Sequence, residues 1–155
     1  MIRIIVRNQA GPELRNVVER MGQTETVNRQ ISVQFYGWVI RNFEAAGGMQ
    51  TPPWKALSPR TIREKKRLGY SSQPLLRTGN LRNSFLSFAD KEVAGVGARA
   101  SFFFRGDGKK PFDYAVAHQQ GTASIPARPM LPPEHYVREI ALKAYENFVA
   151  RAVGA

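Results

Sequence analysis

Cysteine is absent from the 155 residues, which excludes disulfides, thiolate nucleophiles and cysteine-bound zinc and offers no argument for an oxidising compartment. Histidine is scarce: His118 and His135 are the two in the chain, and neither stands in a His-x-x-x-His or His-Glu-x-x-His arrangement, so no metal or other cofactor is expected. Phosphate loops of the Gly-Lys-Ser or Gly-Lys-Thr kind are missing, and Gly95-Val96-Gly97-Ala98 lacks the third glycine and following helix of a dinucleotide site. No run of roughly eighteen apolar residues occurs, and the apolar stretch at residues 2–6 is too short for a secretion signal. The expectation is a soluble protein made in the cytoplasm, with no membrane partner.

Acidic side chains are also few, 12 against 23 lysines and arginines, for a net charge of +11. A charge so far from zero implies a polyanionic neighbour: nucleic acid, an acidic membrane surface or an acidic protein. The excess is local. Between Lys55 and Arg82 eight basic residues face Glu64 alone, which places seven of the eleven net charges in 28 residues. The hydrophobic fraction of 43% is ordinary for a folded chain, and the length suits one domain over residues 1–155.

Periodicity predicts an α+β protein: a small curved antiparallel sheet packed by two amphipathic helices, with a short basic helix. Residues 2–6 read as a strand and 13–21 as a short helix. Val27, Ile31, Phe35, Trp38, Val39 and Phe43 recur at helical spacing, with Thr24 or Thr26 available as cap and Gly47-Gly48 as stop. Ser58-Pro59 starts the basic helix, which runs to about Leu68, and residues 69–74 read as a mobile loop. Thr78-Gly79-Asn80 looks like a turn into a short helix at 81–84, followed by two strands joined tightly at Asp90-Lys91. Phe102 to Phe104 and Phe112 to Ala117 form a further hairpin with Asp107-Gly108 at its tip, which also accounts for the adhesion-like Arg105-Gly106-Asp107. Pro132-Pro133 opens a last helix with Val137, Ile140, Ala141, Ala144, Phe148 and Ala152 as its apolar stripe and Glu139 paired to Lys143 outside.

Nothing here assembles into a catalytic centre, because an active site needs a nucleophile or metal beside a tuned acid or base. His118 reads as a strand-end residue whose ring bonds a carbonyl or a neighbouring subunit. The patch Arg60, Arg63, Lys65, Lys66 and Arg67 could grip phosphates, line a seam against an acidic protein or be a solvated face. No zinc finger, RNA-recognition signature or helix-turn-helix supports sequence-specific reading.

Five blocks in order carry a resemblance. They are Pro53, Trp54, Leu57, Ser58, Pro59, Thr61 and Lys65; then Leu75, Thr78, Gly79, Leu81 and Ser84; then Val96, Gly97 and Ala98; then Tyr114, Ala115, His118, Gln119 and Gly121; and last Ile-Pro-Ala-Arg-Pro-Met-Leu at residues 125–131. Together they resemble the phage virion morphogenesis family of tail completion or tail-joining proteins. The departures are Gln120, where an aromatic is common, and the Phe-rich insertion at 99–111.

The resemblance implies a non-enzymatic structural protein of the phage neck, in the virion and assembled in the host cytoplasm, which finishes the tail and joins it to the head. Its implied partners are further copies of itself in a sixfold ring, the tail-tube and head-connector proteins, and nonspecific contact with packaged DNA. A ring needs heterologous patches. Thr78, Gly79, Leu81 and Arg82 at the turn, Tyr114, His118 and Gln119, and the stiff Pro126, Arg128 and Pro129 arm are expected to supply them, although the arm also reads as a rigid lead into the last helix. The basic helix would face an acidic tube or connector surface. A basic nucleic-acid-binding module is the alternative, and a small ribonuclease-like toxin using His118 with a carboxylate comes third.

Overall fold

The computed structural model describes residues 22–99 and 111–154, together with Val17 and Glu19. Its axis is helix α1, Thr24–Glu44, which buries Val27, Ile31, Phe35, Trp38, Val39 and Phe43, the six positions that the periodicity selects. Their three- and four-residue spacing puts them on a stripe wide enough to serve two neighbours, and removing each large side chain from water contributes about 2 kcal/mol. Neither threonine caps the helix. Gln23 occupies the N-cap position without a side-chain bond, and the Thr24 hydroxyl instead donates to Lys91 O at 2.6 Å, tying the helix start to the strand turn.

Past Glu44 the chain leaves helical geometry through Ala46 (φ 50°) and Gly47 (φ 85°). The conformation at Gly47 is not optional. A Cβ there would sit 2.0 Å from Trp54 Cγ, so the indole closes down on bare backbone. Trp54 in turn lies edge-on to Phe43, ring centroids 5.4 Å apart and planes at 82°.

Ser58 accepts a hydrogen bond from Thr61 N at 3.2 Å and opens helix α2, Pro59–Arg67, with proline in the first turn as expected. None of its residues is fully buried. The following loop is clamped: Lys65 Nζ donates to Gln73 O at 2.6 Å and to Leu76 O at 3.0 Å. Gly79, at φ 81°, then turns the chain into the one-turn helix α3, Asn80–Asn83.

Strands β1, Phe85–Ala89, and β2, Ala94–Ala98, pair antiparallel from Phe85 opposite Ala98 to Ala89 opposite Ala94. The connection is longer than the tight Asp90-Lys91 turn expected, because Asp90 Oδ1 collects both Glu92 N (2.7 Å) and Val93 N (2.8 Å), drawing residues 90–93 into the loop. This small sheet lies against α1, as the α+β reading requires.

The expected strand at 112–117 is a helix, α4, Pro111–Gln120. The apolar run after the Asp107-Gly108 tip reads as the second arm of a hairpin, but Pro111 is preorganised for a first helical turn and Ala115 and Ala117 are strong helix formers. The structural period is four: Tyr114 and His118 share one face while Ala115 is buried in the core. The rest of that proposed hairpin, Phe102 to Phe104 and the Asp107-Gly108 tip, lies outside the described residues, as does the strand at 2–6. Of the helix expected at 13–21, Val17 and Glu19 are described and helical.

Helix α5, Glu134–Val153, starts after Pro133 and ends at Gly154 in left-handed geometry (φ 81°). Val137, Ile140, Ala141, Ala144 and Phe148 pack on Val27, Ile31 and Phe35 of α1, joined by Tyr136 and Tyr145, which the stripe had omitted. Tyr145 can reach the core because its hydroxyl is satisfied, donating to Asn28 Oδ1 at 2.6 Å. Glu139 and Lys143 do not close; the ion pair formed among the described residues is Arg29 with Glu25, at 3.1 Å. A second cluster, Trp38, Val39, Phe43, Trp54, Leu81, Phe85, Ala115 and Met130, joins α1 to α3, α4 and the arm at 125–131.

Candidate partner-binding groove

The arm at residues 125–131 is fastened to the body at almost every step. Trp54 Nε1 donates to Pro129 O at 2.6 Å, and Gln50 Nε2 and Asn42 Nδ2 donate to the same carbonyl at 3.1 and 3.3 Å. Gln119 Oε1 accepts from Met130 N (2.8 Å) and Leu131 N (3.3 Å). Arg128 N donates to His118 O at 2.6 Å. Gly121, at φ 78°, lets the chain turn back: a Cβ there would stand 2.9 Å from Ala127 N. A segment whose prolines cannot donate is thus held through its carbonyls and remaining amides.

Between this arm, α2, α3 and α4 opens a groove of about 410 Å³. Its walls include Leu57, Leu68, Leu75 and Leu76; its polar groups include Lys65, Arg77, Thr78, Tyr114, His118 and Arg128. Residues from four of the five sequence blocks meet here, although up to 71 positions separate Leu57 from Arg128.

The individual site residues divide by burial. Thr78 and Pro126 are exposed; Gly79, Arg82, Tyr114, His118, Gln119 and Pro129 are half-buried; Leu81 and Arg128 are buried. Leu81 is 5% exposed and packs in the core, so its place in the motif is explained by folding. Ser84, buried beside it, donates to Leu81 O at 2.7 Å. Gln119 and the main chain of His118 hold the arm. Arg128, 6% exposed, turns inward: Nε donates to Lys55 O at 3.0 Å, while its terminal nitrogens donate to no described residue. Burial pushes its pKa down from the usual arginine range.

The electrostatics of the groove run one way. Burial, then the Arg128 charge, lowers the His118 pKa, and burial, then the Arg77 charge, lowers that of Lys65. His118 Nδ1 is buried without a hydrogen-bond partner, rather than bonding a carbonyl from a strand end. Of the basic helix, Arg60, Arg63, Lys66 and Arg67 are exposed, whereas Lys65 points back to clamp the loop. Arg77 lies over the Tyr70 ring, 4.9 Å from its centroid. Sequence reasoning missed Arg77 and Tyr70 as groove residues, and Asn42, Gln50 and Trp54 as the arm's anchors; the tryptophan between Pro53 and a polar stretch was the available signal.

Among the described residues no group of three or more His, Asp or Glu could hold a metal ion, no helix is long and apolar enough to cross a membrane, and no hydrogen bond joins His118 to a carboxylate. What the arrangement offers is a shaped, cation-rich recess between hydrogen-bonded elements. Neither the curated proteins nor the solved structures contain a match to this chain. The model of the phage virion morphogenesis family, however, matches residues 6–147. The blocks that converge on this groove therefore belong to a chain of the phage virion morphogenesis family, with a part in building the phage particle.

Proposed function

We propose that this protein is a structural, non-enzymatic component of the phage neck that completes the tail and joins it to the head as a homo-oligomeric ring. The observation that carries the reading is the convergence of the turn at Thr78-Gly79, the α4 face and the arm around one groove, with the arm held by hydrogen bonds from Trp54, Gln50 and Asn42 and to Gln119. Rigid surfaces lose little entropy on docking, which suits a component that works by being placed between others. In the ring, Thr78 of the groove, with Arg82 of α3 and Pro126 of the arm, meets the neighbouring copy, while Leu81, Gln119 and Arg128 support it from beneath. The exposed cations of α2 face an acidic surface of the tail tube or head connector.

Native mass spectrometry of the purified protein, alone and with its tail tube, tests this directly. A closed oligomer that binds the tube is expected. A monomer that ignores the tube, or infectious particles formed at normal yield without the gene, would overturn it. The exposed Arg60, Arg63, Lys66 and Arg67 also favour a second reading, a nucleic-acid-binding module, and strongly salt-dependent binding of the monomer to plain DNA would be its mark.

A further inference from the structure

The groove beside Arg128 is short of negative charge. Lys65, Arg77 and Arg128 line it against Glu64, and no ion pair forms among them. The Arg128 guanidinium is buried, yet only its Nε is engaged, by Lys55 O. Arg77 stacks on Tyr70 and donates no hydrogen bond to a described residue. A buried cation without a counterion costs free energy, and burial, joined at Lys65 by the Arg77 charge and at His118 by the Arg128 charge, lowers the pKa of Arg128, Lys65 and His118.

We infer that the groove is the receptor for an acidic side chain, aspartate or glutamate, presented on an extended segment of a partner protein and flanked there by apolar residues. Two features select this occupant. A guanidinium with its terminal nitrogens open matches the two oxygens of a carboxylate, and Arg77 at the rim supplies a second charge on the way in. The walls are leucines: Leu57, Leu68, Leu75 and Leu76, which suit apolar side chains on either side of the acid and offer nothing to a nucleic-acid backbone. Duplex phosphates lie on a convex cylinder and cannot follow a guanidinium that is 6% exposed into a recess. The exposed α2 cations remain a separate surface.

The inference rests on the reading that the groove meets a partner protein, and the test separates the two. The probe is a short fluorescein-labelled peptide alternating leucine and glutamate, titrated with the full-length protein at about 0.15 M salt. The same peptide with glutamine for glutamate and an oligo-thymidine strand are the comparisons. Binding is expected for the acidic peptide, at least about tenfold weaker for the glutamine peptide, and about tenfold weaker for Arg77→Glu, whose exposed position leaves the fold intact. Arg128→Lys, which keeps the charge and loses the fork, should weaken binding as well. If that variant does not fold, Arg77→Glu decides alone. Equal binding of acidic and glutamine peptides, indifference to Arg77→Glu, or displacement of the peptide by oligo-thymidine would overturn the inference. Ring formation and head-tail joining by Arg77→Glu are scored in parallel: equal binding of acidic and glutamine peptides by the wild type, with joining lost in the variant, sinks the ligand assignment alone, whereas selective peptide binding that the variant weakens, with joining unaffected, removes the groove from the neck.

Discussion

The indole nitrogen of Trp54 donates to the carbonyl of Pro129 across 75 positions of sequence, at 2.6 Å. One bond therefore joins two of the blocks by which the chain resembles its family, and Asn42 and Gln50 converge on the same oxygen. Trp54→Phe keeps most of the ring packing on Phe43 and leaves the carbonyl its two weaker donors. It should cost about 1 kcal/mol, whereas Trp54→Ala should cost about 3–5 kcal/mol by opening a cavity as well. Urea unfolding of the two variants checks the ratio; a Trp54→Phe variant as stable as the wild type would mean that the bond contributes nothing, and equal losses in the two variants that the ring packing does not.

Gly47 and Gly69 provide an internal comparison. Both have positive φ, 85° and 73°, but a Cβ at Gly47 meets the Trp54 ring and one at Gly69 meets nothing within 4 Å. Gly69→Ala should lose only the backbone term, about 1 kcal/mol. Gly47→Ala adds overpacking of about 2 kcal/mol to that term. Thermal melts that rank the two equally would show that Trp54 can move aside.

His118 makes stability depend on pH. Its folded pKa lies below the ordinary 6.5, through burial and then the Arg128 charge, so the unfolded chain takes up the proton first. This contribution is complete above pH 6.5, is lost progressively as pH falls from there towards the folded pKa, and stays lost below it. The wild type should lose more melting temperature between pH 7.5 and 5.5 than His118→Gln. Parallel losses in the two proteins would place the titration elsewhere.

Much of this was legible in the chain because local rules and tertiary packing agreed. The α1 stripe, the Ser58-Pro59 start and the Thr78-Gly79 turn are each set by neighbours within a few positions, and the structure keeps them. Residues 112–117 were misread as a hairpin arm because a short apolar run has no local arbiter between helix and strand: Tyr114 and His118 turn to the groove and Ala115 to Met130 and Leu81, partners that only the fold brings near. Gln119 and Arg128 were selected as contacts between subunits, yet their side chains bond Met130 N and Lys55 O within the chain. A sequence block marks residues that matter together without saying whether they meet inside one copy or between two. Arg77 counted only as one charge of the basic stretch, because its place in the groove depends on Lys65 and Tyr70 lying around it.

The basic helix yields a prediction in which neighbouring lysines part company. Lys65 and Lys66 are equivalent by composition, but Lys65 Nζ holds the carbonyls of Gln73 and Leu76 while Lys66 is exposed. Lys65→Met leaves two carbonyls unpaired and releases the loop that carries Arg77, so it should destabilise the fold by about 1–3 kcal/mol. Lys66→Glu combined with Arg63→Glu should change stability by only about 0.5 kcal/mol per site, yet weaken binding to an acidic partner, with the loss shrinking as salt rises and screens the surface. Denaturation and tube binding measured on the same preparations separate the effects. If Lys66→Glu with Arg63→Glu binds the tube as the wild type does, the outward charge of α2 is a solvated face; if Lys65→Met melts as the wild type does, the clamp is not what shapes the groove.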